Sequence, residues 1–106
     1  MAVLPLLACG CDRDHSRKLE RVRQAADSWN ATLDETAGQW SRGRVPTTYV
    51  RQVTDAARRA LESQAEALRD VPADDPRARE LRQRLDALRA RAAEVSRAAD
   101  EGGRGL

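Results

Sequence analysis

The chain has no phenylalanine and no isoleucine, and its aromatic residues are two tryptophans and one tyrosine. A core must therefore be assembled from Leu, Val and Ala, with Trp29, Trp40 and Tyr49 as the only large flat side chains. No apolar run approaches the ~18 residues that a membrane-crossing helix needs. Cysteine occurs twice, at Cys9 and Cys11, so no disulfide can join distant parts of the chain. His15 is the only histidine, and with those two cysteines it makes three potential soft-metal ligands without a fourth, so no metal site is expected. There is no Ser–His–Asp set with a plausible base, no glycine loop that could cradle phosphate, and no acid pair placed by a motif. Neither catalysis nor a cofactor is expected. A net charge of +2, from 19 basic and 17 acidic residues, is too small to imply a nucleic-acid partner.

What the chain does have is periodicity. Leu19, Val22, Ala26, Trp29, Leu33, Thr36 and Trp40 recur at alternating spacings of three and four, which puts them on one helical face. Val50, Val53, Ala57, Ala60, Leu61, Ala65 and Leu68 form a second, broader apolar face, as a helix touching two neighbours requires. Ala78, Leu81, Leu85, Leu88, Ala92, Val95 and Ala99 form a third. Two breaks separate them. Gly43 can adopt the left-handed cap conformation and Pro46 cannot continue a helix. Asp75 followed by Pro76 is a strong helix-start signal. Asp12, Asp14 or Ser16 is the expected N-cap of the first helix, Thr47 or Thr48 that of the second, and Asp75 that of the third. The expectation is an all-α protein, an antiparallel three-helix bundle or helical hairpin with coiled-coil-like seams. Its helices lie near 16–40, 47–70 and 76–99, within one domain spanning 12–101, followed by a frayed glycine-rich tail at 102–106.

Residues 1–11, MAVLPLLACGC, are apolar and uncharged, belong to none of the three seams, and contain Pro5, which is expected to interrupt a helix. Such a segment reads as a targeting leader. Leu6-Leu7-Ala8-Cys9 resembles the lipobox of bacterial lipoproteins, in which a small residue precedes a cysteine at the end of an apolar leader. The resemblance implies cleavage before Cys9 and attachment of diacylglycerol to its sulfur. Cys11, preceded by Gly10, is the second choice. It further implies a location in the bacterial cell envelope, anchored to a membrane and facing the periplasm or exterior. A cytoplasmic helical interaction module is the alternative.

Arginines flank the third seam: Arg77, Arg84 and Arg91 on one side, Arg82 and Arg89 on the other. Their stems can cover the seam edges while the guanidinium groups stay wet. They are the candidate partner-facing residues, and the surface they would meet is acidic, either the second helix, with Asp55, Glu62 and Glu66, or another chain. Glu20, Asp27 and Asp34 are expected on the outer face of the first helix. Glu80–Arg84 and Asp86–Arg89 are expected as local pairs if that side is simply solvated.

Overall fold

The computed structural model describes residues 3–104, with side chains described for 14–102. Three helices, α1 (Val3–Ser41), α2 (Thr47–Ala67) and α3 (Pro76–Arg104), each pack against the other two. A short 3-10 turn, Leu68–Asp70, extends α2. The fold is an all-α three-helix bundle. The Lys18–Asp70 ion pair, at 3.1 Å, brings the first part of α1 to the end of α2, so these helices run antiparallel. At the other end of α2, the Thr47 hydroxyl donates to the Ala99 carbonyl at 3.5 Å, and Arg51 pairs with Asp100 at 2.5 Å. The helices α1 and α3 are consequently parallel.

The seams meet as their spacing implies. Leu19, Val22, Ala26 and Leu33 of α1 are buried with Ala57, Leu61 and Leu68 of α2 and its extension, and with Ala78, Leu81, Leu85, Leu88 and Ala92 of α3. Each fully buried leucine contributes on the order of 1.5–3 kcal/mol through apolar area removed from water. Trp29 is half-buried against this cluster. The face of α2 is shifted slightly from the expectation. Thr54 is buried and Val53 only half-buried, because the 4-3-4 spacing of Val50, Thr54, Ala57 and Leu61 is the one that points inward. The Thr54 hydroxyl donates back to the Arg51 carbonyl at 3.2 Å, so its burial leaves no polar atom unmet.

The two breaks hold with defined chemistry. Gly43 takes φ of 71°, and the N–H groups of Gly43 and Arg44 donate to the Trp40 and Gln39 carbonyls, both at 2.9 Å. This pair of bonds is a Schellman closure of α1, which requires a residue free to adopt the left-handed region. Asp75 caps α3: its carboxylate accepts from the Arg77 N–H at 2.9 Å. The expected cap of α2 is corrected. Pro46 occupies the N-cap position without a side-chain cap, and Thr47 lies inside the first turn, where its hydroxyl reaches α3 instead.

Helix boundaries differ from expectation at both outer ends. The helix α1 begins at Val3 rather than near Ser16, so Asp12, Asp14 and Ser16 do not begin it. Pro5 lies within the described helix, so it does not interrupt it as expected. The helix α3 runs to Arg104 instead of ending near Ala99. Gly102 acts there as a point of close approach rather than a breaker. A Cβ on it would stand 2.7 Å from Trp40 Cζ2, closer than side-chain carbons pack, so the half-buried indole lies directly over the glycine.

Candidate interaction face and anchor segment

Placing α1 parallel to α3 decides what the arginines of α3 meet. Arg84 pairs with Asp27 and Arg91 with Asp34, both pairs separated by the same 57 positions, so they form successive rungs one heptad apart. Arg77, at the start of the same edge, donates to Ser16 Oγ at 3.2 Å and to the Asp75 carboxylate at 3.2 Å. Asp27 and Asp34 thus do not lie on an outer face with no neighbour. An α1 that touches two helices presents an arc wider than a coiled-coil seam, and an arginine stem on the facing helix spans the remaining gap. The expected Glu80–Arg84 pair does not form. Arg84 turns to Asp27, and Glu80 makes no ion pair among the described residues. Glu20 is drawn to its own helix, where Arg23 binds it and also reaches Asp27 at 3.2 Å.

The opposite edge of α3 faces α2. Arg89 pairs with Glu62 at 3.5 Å and with Asp86, its local neighbour, at 3.8 Å. Of the other acids of α2, Asp55 pairs with Arg58 and Arg59 on its own helix, at 3.2 and 2.8 Å. Arg82 has a different task. One of its terminal nitrogens, part-buried, donates to the carbonyls of Leu68 at 2.7 Å and Val71 at 3.0 Å. These carbonyls lie where the α2 extension ends, and Leu68 already accepts the Val71 N–H at 3.1 Å, so the guanidinium adds a second donor there and complements the helix dipole. Nothing in the sequence spacing pointed to this contact, because it depends on how the loop at 71–75 folds back.

All five arginines therefore have partners within the chain. The rung pairs are about half-exposed, with side-chain accessibilities of 37 and 47% for Arg84–Asp27 and 40 and 53% for Arg91–Asp34. In that setting each is worth only about 0.2–1 kcal/mol. Their main effect is on register, since a slip of one helical turn between α1 and α3 would leave both aspartates without their arginines.

Charge pairing also moves two carboxylates. The Arg77 side chain beside Asp75, helped by the Arg77 and Ala78 N–H groups, holds its carboxyl below the ordinary aspartate range, against a partial opposing effect of desolvation. The hydrogen bond from Arg23 does the same for Glu20, and Glu20 in return raises Arg23. Between α1 and α3 runs a groove of about 380 Å³, floored by Leu19 and Leu81 and rimmed by Glu20, Arg77, Glu80 and Arg84. Arg23 also lines it, and its charges of both signs include the Glu20–Arg23 pair.

Cys9 and Cys11 lie outside the residues whose side chains are described, although α1 passes through them. Among the described residues no group of three His, Cys, Asp or Glu side chains could hold a metal ion. No helix among them is long and apolar enough to cross a membrane. The chain matches no protein-family model, and no curated protein or solved structure is significantly similar to it.

Proposed function

We propose that this chain is a non-catalytic protein-interaction module of the bacterial cell envelope, held to a membrane by a lipid on Cys9. The observation that carries the reading is where the seam starts. Leu19 opens the first seam and is the first buried core side chain among the described residues, whereas the longest apolar run, ending at Cys9, lies ten residues earlier in the sequence and outside every seam. A run needed for folding would lie within a seam; a leader that is removed need not. The segment from Gly10 to His15, with Asp12, Arg13 and Asp14, suits a spacer between bilayer and bundle. Two acyl chains on one thioether, at roughly 0.8 kcal/mol per buried methylene, give lasting attachment without a spanning helix.

The interaction role rests on what the bundle offers: paired charges, a modest aliphatic core and no assembled nucleophile, base or ligand set among the described residues. The test is mass spectrometry of the protein expressed from its native locus and separated into membrane and soluble fractions. Cleavage before Cys9 with added acyl mass, abolished by Cys9→Ser, is the expected result. Acylation that survives Cys9→Ser and is lost with Cys11→Ser moves the anchor to the second cysteine. An intact, unmodified Met1 in the soluble fraction refutes the anchor and leaves the cytoplasmic module.

A further inference from the structure

The two closed rungs between α1 and α3 imply a third. Asp27–Arg84 and Asp34–Arg91 share an offset of 57 positions, and one heptad earlier on both helices the same offset joins Glu20 to Arg77. On parallel helices such positions are equivalent, and the two charges are of opposite sign. Both side chains also line the groove between α1 and α3. Glu20 nevertheless turns along its own helix, accepting from Arg23 and, at 3.4 Å, from Gln24. Arg77 reaches the Asp75 carboxylate at 3.2 Å and Ser16 Oγ at 3.2 Å. The groove, about 380 Å³, lies where this rung is not made, over Leu19 and Leu81.

Two local competitors hold the rung open. Arg23 bridges Glu20 and Asp27 at spacings of three and four, where side chains on one helix meet without crossing an interface. Asp75 stands two residues before Arg77, and its carboxylate also accepts the Arg77 backbone N–H at 2.9 Å. That backbone bond caps α3 whichever way the Arg77 side chain turns, so swinging the guanidinium to another acid leaves the helix start intact. The side chains of Glu20, Arg23 and Arg77 are all about half-exposed, at 49, 52 and 54%. An exchange of partners among them therefore trades one exposed ion pair for another of similar strength.

We propose that Glu20 and Arg77 form a gate, a third rung that is open in this structure and closes across the groove when Arg23 releases Glu20. Closing sets an ion pair between the two walls, above Leu19 and Leu81, and extends the ladder over three successive heptads. Asp27 keeps its contacts with Arg84 and Arg23, so the switch is confined to the end of the bundle from which α1 continues toward Val3. It is independent of the lipid anchor.

The experiment is a double-mutant cycle on the full chain, Glu20→Gln against Arg77→Gln, run in the unmodified sequence and again with Arg23→Gln. Glutamine keeps a polar side chain at each half-exposed position, and Tm is read by helical circular dichroism at low ionic strength. The two substitutions should be additive to within about 1 °C in the unmodified sequence. In the Arg23→Gln background they should depart from additivity by more than that, up to about 8 °C. The departure should vanish in about 1 M salt, where the Debye length is ~3 Å. Additivity in both backgrounds overturns the rung. Equal departure in both overturns the gate, because the pair would then be closed already. A departure that survives the salt overturns it as well, since repacking rather than an ion pair would be its cause.

Discussion

Reversing Arg84 and Arg91 to glutamate tests the ladder that ties α3 to α1. Each arginine now faces an aspartate across half-exposed edges, an arrangement worth about 0.2–1 kcal/mol per pair. Reversal removes both attractions and sets like charges opposite one another at a similar cost, so the two sites together should lose about 1–3 kcal/mol. For a domain near 100 residues this lowers Tm by roughly 4–12 °C. Thermal unfolding followed by helical circular dichroism reads the shift. The penalty should shrink in about 1 M salt, where the Debye length falls to ~3 Å. Adding Asp27→Arg and Asp34→Arg restores opposite charges on the same rungs and should recover most of the loss. A double reversal that leaves Tm unchanged, or a fourfold variant that recovers nothing, refutes the pairing and returns these arginines to the solvent or to another chain.

Arg82→Ala should lower stability in urea by about 1–3 kcal/mol, because the Leu68 and Val71 carbonyls lose their shared donor in a part-buried site. An unchanged urea midpoint would mean that water replaces the guanidinium without cost. Asp75 contributes a pH dependence whose sign follows from its depressed native value. Its stabilisation is fully present above the unfolded aspartate value of about 3.9 and is lost as pH falls through the lower folded value. Asp75→Asn keeps a capping side chain but removes the titration, so the acid limb of the stability curve should become shallower; an identical limb refutes the assignment.

Three seams and two punctuated breaks made the fold class legible before any tertiary information. Leu19, Val22, Leu33, Leu61, Leu81, Leu85 and Leu88 are all buried as their spacing requires. Asp75 caps α3 because an acid before Pro76 has little else to do at a helix start. Spacing resolves a helical face only to within the width of a side chain, so by itself it does not separate Thr54 from Val53. The burial of a threonine there depends on whether its hydroxyl can return to its own helix, as it does to Arg51.

The sequence by itself determined which faces are apolar, where the helices are interrupted, and that both cysteines precede the three seams. Those are local properties, written in periodicity, proline, glycine and capping residues. Only the tertiary structure decided the offset between α1 and α3 that brings Arg84 to Asp27 and Arg91 to Asp34. It likewise decided that Arg82 meets the end of α2, and that the Trp40 indole lies on Gly102. Each of these contacts joins residues distant along the chain. Their partners are set by helix direction, register and loop path, quantities that no single-helix pattern encodes.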